Sequence, residues 1–299
     1  MTMRLAAIVA TKDRPKEIRT VLAEFARQSR VPDQIIVVDS SAASQEELVR
    51  EFPGLPLVYR YHQPPSASAQ RNAGVALADP GIELVAFFDD DITLAPDALK
   101  NMLRFWETAP PDVAGAAFNI LNPAPTSGGW LKRSWLVQRL GLYSSRMGQV
   151  MPSGWQTAIH TVGGNLETDW LPSSASVWRR GVLGDPVFDP FYDGYSYLED
   201  LDFSHGIRRA GHRLVVVADA GFSHWPSPAG RSSQVRFGQV EVRNRLYFVR
   251  KYGLSRWRCL LGLAIRWSMT VGAGLLGLNT GCLGRAWGNL LWWKARRRD

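Results

Sequence analysis

The apolar positions in the first half of the chain alternate between strand-like runs and helix-like spacing. Strand-like runs occupy residues 5–10, 35–38, 57–61, 84–88 and 113–121. Between them, apolar residues recur at helical spacing over residues 18–26, 46–52, 67–77 and 96–108. This alternation predicts an α/β fold with a mostly parallel sheet flanked by helices.

Short polar clusters follow three of the predicted strands. Residues 11–14 follow the first strand, Asp39 follows the second, and the three aspartates at residues 89–91 follow a later one. In sheets of this type, ligands bind beyond the carboxyl ends of the strands. The sequence therefore predicts that these clusters converge on one ligand-binding rim.

The consecutive aspartates Asp89, Asp90 and Asp91 admit two interpretations. Adjacent carboxylates repel one another, and one that faces inward needs a counter-charge, which a divalent cation supplies. Alternatively, they form a solvated acidic turn before the helix that begins near Pro96, since Asp is common in turns and near helix N-termini. The triplet alone does not decide between a metal site and a turn.

The regular pattern is lost over residues 122–165, which are rich in Gly and Pro and contain one helical stretch near residues 131–142. A long loop in a compact domain is more often functional than structural. Beyond it, the pattern predicts order at residues 166–171, a helix from about residue 198, a strand at 214–218, a loop bearing His224 and a helix at 233–252.

Charge is distributed unevenly along the chain of 299 residues, whose formal net charge is +8. Residues 1–230 contain 21 Lys/Arg and 25 Asp/Glu, whereas residues 231–299 contain 14 and 2. A basic tail indicates either nucleic acid or an anionic membrane surface as a partner. The neutral residues of this tail are largely Leu, Gly and Trp, which favours the membrane surface over nucleic acid.

One feature bears on the compartment. The apolar stretch at residues 5–10 is followed at once by charged residues, so it is too short for a signal-peptide core and the body is expected in the cytosol.

Cys259 and Cys282 both lie in the apolar tail and are interpreted as small buried hydrophobic residues rather than a disulfide or a metal site.

The tail contains 18 uncharged residues between Arg266 and Arg285, near the lower limit for a membrane-spanning helix. Five of them are glycines, and tryptophans flank the stretch, so interfacial helices on anionic lipid over residues 257–298 are favoured. The alternatives are a spanning segment at 267–284 and a helical pair packed on the domain, at a homodimer interface. Residues 272–277 match a dinucleotide-binding fingerprint, but no strand precedes them, and close helix packing explains these glycines better.

Several motifs resemble those of the family 2 glycosyltransferases over roughly residues 4–252. They are VATKDRP at residues 9–15, VVD at 37–39, RNAG at 71–74, FDDD at 88–91, ED at 199–200 and His224. Chance rarely produces so many motifs in one order and spacing. The resemblance implies the GT-A fold with its Rossmann-like sheet, a nucleoside-diphosphate sugar donor, a divalent metal (Mn²⁺ or Mg²⁺) and inversion at the anomeric carbon.

The resemblance and the polar rim together indicate the residues that bind the nucleotide sugar: Thr11, Asp13, Arg14, Asp39, Arg71, Asp89 and Asp90. The carboxylates of Asp13 and Asp39 suit a base and ribose hydroxyls. The guanidinium groups of Arg14 and Arg71 suit the diphosphate. Structural alternatives remain: a helix N-cap for Asp13, a surface salt bridge for Arg71 and a simple turn residue for Asp90.

The resemblance further assigns the metal to Asp91 and His224, with Asp89 contacting ribose as the other member of a D-x-D pair. Imidazole suits Mn²⁺ better than Mg²⁺. The resemblance assigns the catalytic base to Asp200, which would accept the proton of the acceptor hydroxyl, and acceptor positioning to Glu199. The alternative is that both carboxylates simply open a helix at the favourable end of its dipole.

Trp178 is a candidate for stacking on a sugar face in the acceptor site, with packing in the core as its alternative. It lies within residues 171–180, where the family usually has a small residue, often Gly, ahead of a basic pair. This chain has serines there instead. The departure leaves the donor-sugar pocket undefined.

The expected organisation is a glycosyltransferase domain at residues 1–252 followed by a basic, apolar helical tail at 253–299. Within the domain, residues 1–121 form the nucleotide-binding half and residues 122–252 the acceptor and catalytic half. The expected reaction is inverting transfer of a hexose or deoxyhexose to a hydroxyl of a lipid-linked or cell-surface glycan. It would take place at the cytoplasmic face of the cell membrane, with the protein peripheral or re-entrant.

Two other functions are compatible with parts of the pattern. A nucleotidylyltransferase uses a similar sheet, but that class needs a Gly-rich loop after the first strand, and residues 11–15 contain no glycine. A non-catalytic nucleotide-sugar-binding scaffold at the membrane is the second alternative. The presence of Asp91, Asp200 and His224 argues against it, and only activity excludes it.

Overall fold

The computed structural model describes residues 3–124, 134–227, 229, 232–277 and 281–296. The chain forms two compact units: Met1–Pro125 with Ala158–Gly230, and Thr126–Thr157 with Arg231–Asp299. The beginning of the helical stretch predicted near residues 131–142 and the arginines at 297–298 lie outside the described residues.

The first unit is built on a sheet, which contains nine strands within the described part of the chain. The strands are β1 Leu5–Thr11, β2 Gln34–Asp39, β3 Leu57–Tyr61, β4 Leu84–Phe88, β5 Ile92–Leu94, β6 Val113–Ile120, β7 Leu166–Thr168, β8 Ala175–Arg179 and β9 Arg213–His224. Their order is β3-β2-β1-β4-β8-β6-β9-β5, and β7 also pairs with β9.

The pairing directions make this a mixed sheet. β1 runs parallel to β2 and to β4, β2 to β3, and β6 to β9. β8 pairs antiparallel with both β4 and β6, and β5 and β7 pair antiparallel with β9. The predicted α/β fold is confirmed, but the sheet is not mostly parallel, because the unpredicted strand β8 enters antiparallel between β4 and β6.

Helices flank the sheet and also form the second unit. The first unit contains α1 Pro15–Arg27, α2 Leu48–Glu51, α3 Ala67–Ala76, α4 Ala98–Thr108 and α6 Glu199–Arg209; the second contains α5 Trp135–Arg139, α7 Gln234–Lys251, α8 Arg256–Leu275 and α9 Gly281–Arg296. The proline at the start of α1 has its φ angle preset for a helix. The apolar face of α1 is buried through Ile18, Val21, Leu22 and Phe25.

The core of the first unit lies between these helices and the central strands. Every residue of β4 is completely buried, which explains why its sequence is a continuous apolar run rather than an alternating one. Phe88 of β4 contacts Phe25 of α1 edge to face, with ring centroids 5.2 Å apart, and also contacts Phe118 of β6 at 5.4 Å. The core therefore fixes the end of β4, after which the three aspartates begin.

Strand β9 extends further than its apolar pattern predicts. The expected strand ends at residue 218, but β9 continues to His224, which pairs with Ile92 of β5. A register shift between β6 and β9 precedes this extension, and the side chain of Asn119 bridges it by donating to the carbonyl oxygens of Val162 and Ala218. His224 therefore lies at the end of a strand and not on a loop.

In the second unit, glycines allow α7 and α9 to pack backbone to backbone. A side chain at Gly288 would overlap the carbonyl oxygen of Val235, and one at Gly238 would overlap that of Arg285. Of the glycines within residues 272–277, a side chain at Gly274 would overlap Leu283 on α9, whereas one at Gly272 or Gly277 would meet no neighbouring atom among the described residues, so close helix packing is confirmed for Gly274 and not for the other two. The close contact through Gly238 and Gly288 joins α7 to α9. It also places α7 with the C-terminal helices, so the compact units differ from the division expected at residue 252.

The carboxylate of Glu241 on α7 is almost completely buried and joins the three long helices of this unit. It accepts hydrogen bonds from Nε of Arg266 on α8 and from Nε of Arg285 on α9, both at 2.8 Å. No helix among the described residues is both long enough and apolar enough to cross a membrane.

Candidate active site

The rim predicted from the sequence exists, because the parallel strands bring their carboxyl ends together. Thr11 at the end of β1 is in register with Asp39 at the end of β2, and Val9 is in register with Phe88, the last residue of β4. The aspartates at residues 89–91 therefore begin beside the turn that follows β1.

Three side chains on this rim could hold a metal ion. One ligand atom from each of Asp89, Asp91 and His224 lies within 4.8 Å of the others. The Oδ1 atom of Asp91 lies 2.9 Å from Nε2 of His224, and Oδ2 of Asp89 lies 4.0 Å from the same nitrogen. Two carboxylates and an imidazole form a donor set that suits Mn²⁺.

Neighbouring residues hold two of these three side chains, His224 and Asp91, in place. The backbone N–H of His224 donates to Oδ1 of Asn122 at 2.8 Å, and Nδ2 of Asn122 donates to the carbonyl oxygen of His224 at 2.9 Å. The Oδ2 atom of Asp91 accepts from the backbone N–H of Ser227 at 2.9 Å and from Arg14 at 3.2 Å. The Oδ1 atom of Asp91 therefore points to His224.

These contacts keep Asp91 ionised. Burial raises the pKa of Asp91, but hydrogen bonds from His224 and from the backbone of Ser227 outweigh burial and lower the pKa below its ordinary value. An ionised carboxylate is the form that a hard cation binds.

Asp90 is buried and does not belong to the candidate metal group. Its Oδ2 atom accepts from the hydroxyl of Thr11 at 2.7 Å, and its Oδ1 atom accepts from Arg14 at 2.6 Å. Burial raises the pKa of Asp90 to about 6, although Arg14 opposes the shift. Asp90 is therefore neither an exposed turn residue nor a ligand contact: together with Thr11 it positions Arg14, which corrects the expectation for both Asp90 and Thr11.

Asp13 is exposed on the turn between β1 and α1. Its φ angle is +54°, in the left-handed region, and its Oδ1 atom accepts from the backbone N–H of Ala42 at 2.8 Å. The helix N-cap is Arg14, without a capping side chain, so the N-cap alternative for Asp13 is wrong. Its exposed carboxylate remains available to a ligand.

The carboxylate of Asp39, unlike that of Asp13, is not exposed to a ligand. It is completely buried, and its carboxylate accepts from the backbone N–H of Ser41 at 2.8 Å, from that of Gln45 at 3.2 Å and from the hydroxyl of Tyr59 at 2.7 Å. Burial raises the pKa of that hydroxyl to about 12. Asp39 organises the loop after β2 and does not reach a base directly, contrary to the expectation.

Arg71 on α3 is buried at the centre of the site. Its Nη1 atom donates to Oε1 of Glu199 at 2.7 Å, and its Nη2 atom donates to Oδ1 of Asp89 at 2.9 Å. The surface salt-bridge alternative is therefore wrong. Arg71 instead joins Asp89, in the candidate metal site, to Glu199 of the Glu199–Asp200 pair, which lies in the first turn of α6.

The start of α6 is held in an unusual backbone conformation. Leu198, the residue before the helix, has a φ angle of +76°, and Ser196 has one of +53°. The hydroxyl of Ser196 accepts from the backbone N–H of Ser68 in the first turn of α3 at 3.2 Å. Strained residues of this kind persist where the surrounding structure holds them, often at functional sites.

The paired carboxyl groups at the start of α6 resist ionisation. Burial, followed by the charge of Asp200, raises the pKa of Glu199 to about 8. Burial also raises the pKa of Asp200, against the backbone N–H of Leu201, which donates to its Oδ1 atom at 2.7 Å. Two adjacent buried carboxyl groups beside one guanidinium share a proton more readily than they both ionise.

Trp178 does not line the site. It is 1% exposed on β8, its indole N–H donates to the hydroxyl of Ser176 at 3.0 Å, and its ring lies 4.5 Å from that of Phe203 on α6. The expected contact with an acceptor sugar is therefore corrected. The serine-containing segment is a central strand whose aromatic residue packs on the helix that carries Asp200.

Sequence reasoning missed several residues that build the site. Nε2 of the buried Gln70 donates to the carbonyl oxygens of Thr11 at 2.9 Å and Val38 at 2.8 Å, and thereby ties together the ends of β1 and β2. Asn122 and Ser227 were also missed. Asn122 directly follows a predicted strand, which is a usable signal, whereas Gln70 and Ser227 gain their roles from contacts distant in sequence.

The fold and the rim define a class of enzyme, the nucleotide-sugar glycosyltransferases. A family profile described as Glycosyl transferase family 2 matches residues 6–164, which is more than half of the chain. This chain belongs to glycosyltransferase family 2. No curated protein matches it significantly.

Solved structures share its GT-A fold at low identity. S. aureus TarS 1-349 matches with a TM-score of 0.54 and 17% identity, over 88% of this chain and 70% of TarS 1-349. The mannosyltransferase PcManGT from Pyrobaculum calidifontis matches with a TM-score of 0.55 and 16% identity, over 98% and 88%. GalNAc-T7 matches with a TM-score of 0.57 and 11% identity, over 83% and 50%.

We expect Arg71→Met to lower the free energy of unfolding by about 3 kcal/mol at neutral pH, because Asp89 and Glu199 lose their buried partner. Urea denaturation measures the change. The matched control is Arg19→Met, whose guanidinium pairs with the half-exposed Glu47 and Glu51 and should cost less than about 1 kcal/mol. Equal losses for the two variants would show that the ion pairs of Arg71 contribute no more to stability than the surface ion pairs of Arg19.

Proposed function

We propose that this protein is an inverting, metal-dependent glycosyltransferase that moves a hexose or deoxyhexose onto a hydroxyl of a lipid-linked or cell-surface glycan. The observation that carries the proposal is the connected cluster on the rim. Asp89, Asp91 and His224 form a candidate metal site, and Arg71 links Asp89 to the buried pair of Glu199 and Asp200.

The metal would be held by Asp91 and His224, with Asp89 beside them. GalNAc-T7 has been solved with UDP, GalNAc and Mn²⁺, and the mannosyltransferase with GDP-Man and Mn²⁺. The imidazole in this donor set favours Mn²⁺ over Mg²⁺. When bound, such a cation neutralises charge on the diphosphate and makes it a better leaving group.

Asp200 is the proposed catalytic base. In a single displacement, the acceptor oxygen attacks the anomeric carbon, Asp200 takes the proton of the acceptor hydroxyl, and the bond to the diphosphate breaks. Burial raises the pKa of both Glu199 and Asp200, so the pair holds one proton more readily than two adjacent charges, and deprotonated Asp200 is the proposed acceptor of the hydroxyl proton. Glu199 is the proposed positioning residue for the acceptor, and Nη1 of Arg71 holds its carboxyl group at 2.7 Å.

The nucleotide sugar would contact the exposed carboxylate of Asp13 and the guanidinium of Arg14. The Nη1 atom of Arg14 already reaches both Asp90 and Asp91, so its charge is directed to the rim where a diphosphate would lie beside the metal. TarS has been solved with UDP and with UDP-GlcNAc, and the mannosyltransferase with GDP-Man. UDP-sugars and GDP-sugars are therefore the first donors to test, and UDP and GDP are the first ligands to test for binding.

The C-terminal helices are the proposed contact with an anionic membrane surface at its cytoplasmic face. Residues 231–299 contain 14 Lys/Arg and only 2 Asp/Glu. The same helices expose large apolar side chains, including Trp257 at 55% and Trp287 at 56%. Exposed tryptophans within a basic helical surface favour a peripheral position at the lipid interface.

Removal of one metal ligand tests the donor site. We expect Mn²⁺ to tighten the binding of UDP or GDP to the wild-type protein, and we expect Asp91→Ala to abolish that gain. Isothermal titration calorimetry with and without Mn²⁺ measures both. The control is Asp112→Ala, since Asp112 is an exposed aspartate before β6, at the opposite edge of the sheet. If Asp91→Ala kept the full gain, the proposed metal site would be wrong.

Loss of the base should separate binding from transfer. Asp200→Asn keeps the size of the side chain and should leave donor binding intact while it lowers the rate of transfer by about 10²–10⁴-fold. Because burial raises the pKa of Asp200, wild-type activity should fall with decreasing pH at a higher midpoint than an ordinary aspartate gives. Full turnover by Asp200→Asn would exclude this residue as the base.

Membrane association is tested with the exposed tryptophans. The double variant Trp257→Ser, Trp287→Ser should sediment less with vesicles of phosphatidylcholine and phosphatidylglycerol than the wild-type protein does. Trp135→Ser is the matched control, because Trp135 is 69% exposed but lies on α5, outside the tail. Sedimentation of the double variant equal to that of the control would count against the tail as the contact.

A further inference from the structure

The three long helices of the second unit line a cavity of about 280 Å³ that is partly open to the surface, and α7 contributes Val242 to it. α8 lines it with Leu260, Leu263, Ala264 and Trp267, and α9 lines it with Leu290 and Trp293. All seven residues are apolar or aromatic. An occupant of this cavity is therefore selected by apolar contact and not by charge.

The one polar residue that lines the cavity is already engaged in the packing of the helices. Nδ2 of Asn289 donates to the carbonyl oxygen of Gly238 at 2.7 Å, and the Asn289 side chain also forms a hydrogen bond to Glu241. Asn289 thus belongs to the buried polar cluster that joins α7 to α9. The remaining lining is suited to hydrocarbon.

The volume of the cavity corresponds to a short hydrocarbon segment. A cavity of about 150 Å³ lined by similar residues holds one benzene ring, so the present one has room for roughly ten carbon atoms. Empty apolar cavities lower protein stability in proportion to their volume, and filling one reverses that loss. Ala264 and Leu290 are both exposed, which gives a chain access from the surface.

Cationic residues adjoin the lining residues in sequence. Arg266 precedes Trp267, and the exposed Lys294 follows Trp293. The side chain of Arg266 is 45% exposed even though its Nε atom donates to Glu241. Arg266 lies close to the lining, because Glu241 also forms a hydrogen bond with the lining residue Asn289. An apolar cavity with this cationic side chain nearby matches a molecule that has a hydrocarbon chain and an anionic headgroup.

We infer that this cavity binds one hydrocarbon chain of an anionic membrane lipid, with the headgroup phosphate outside, near Arg266 and Lys294. This inference goes beyond adsorption of the tail to a charged surface, because it assigns one lipid chain to a defined site. It depends only on contacts within α7, α8 and α9. The transfer reaction and its residues play no part in it.

Dodecyl phosphate is a suitable probe because it combines one chain with one phosphate. Titrated into the full-length protein below its micelle concentration, it should bind saturably with one molecule per chain and raise the melting temperature. Inorganic phosphate should not bind, and the uncharged dodecyl maltoside should bind at least about tenfold more weakly. Calorimetry measures stoichiometry and affinity in each case.

Two variants locate the binding in the cavity. Ala264→Phe places a ring in the cavity, and Leu290→Gln places a polar group at its exposed side; each should weaken dodecyl phosphate binding at least about tenfold. Met269→Phe is the control, because Met269 is exposed on the same helix but does not line the cavity. Its affinity should equal that of the wild-type protein.

Three results would overturn the inference. These are wild-type affinity in both Ala264→Phe and Leu290→Gln, uptake of many dodecyl phosphate molecules without saturation, and a dimer that both variants dissociate but the probe does not. The last result would show that a second copy of the chain covers the cavity. UDP binding with Mn²⁺, measured on the same samples, reports on the donor site separately, so failure of the proposed function is distinguished from failure of the lipid site.

Discussion

The buried guanidinium of Arg71 is the contact on which the site depends. One of its nitrogens reaches Asp89 after β4, and another reaches Glu199 at the start of α6. Because these two carboxylates come from distant parts of the chain, a single side chain holds the candidate metal site and the Glu199–Asp200 pair in one cluster. A buried ion pair of this kind contributes little net stability. Breaking it leaves uncompensated charge in the interior, so the positions of Asp89 and Glu199 depend on Arg71.

The same chain uses buried glutamates in two different ways. Glu241 in the helical unit accepts from two arginines, and these interactions outweigh burial and lower its pKa. Glu199 shares one arginine with Asp89 and stands beside Asp200, so burial and like charge prevail and raise its pKa. The ratio of carboxyl to guanidinium groups therefore distinguishes the two sites. Glu241, with two arginines, stays ionised and joins helices, whereas the Glu199–Asp200 pair, with one arginine, can hold and release a proton.

The aspartate triplet combines a candidate metal site with a buried ion pair, and it is not a solvated turn. Asp89 and Asp91 turn to one side, where His224 completes a candidate metal site, while Asp90 turns to the other and holds Arg14. Arg14 in turn reaches Asp91, so the ion pair of Asp90 also supports the candidate metal ligand. A run of three carboxylates is tolerated here because each one has a cationic partner: Arg71 for Asp89 and Arg14 for Asp90 and Asp91.

The family resemblance, and not local pattern, paired Asp91 with His224. Local pattern was sufficient for β1–β4, for α1–α4 and for the polar rim, because apolar periodicity and strand polarity are properties of contiguous residues, but it missed β5. It was insufficient for the antiparallel entry of β8, the extension of β9 to residue 224 and the packing of α7 with α9. It also misplaced Asp39 and Trp178, which the fold buries. Pairing partners, register and burial arise between segments far apart in the chain, and only the folded packing brings those segments together.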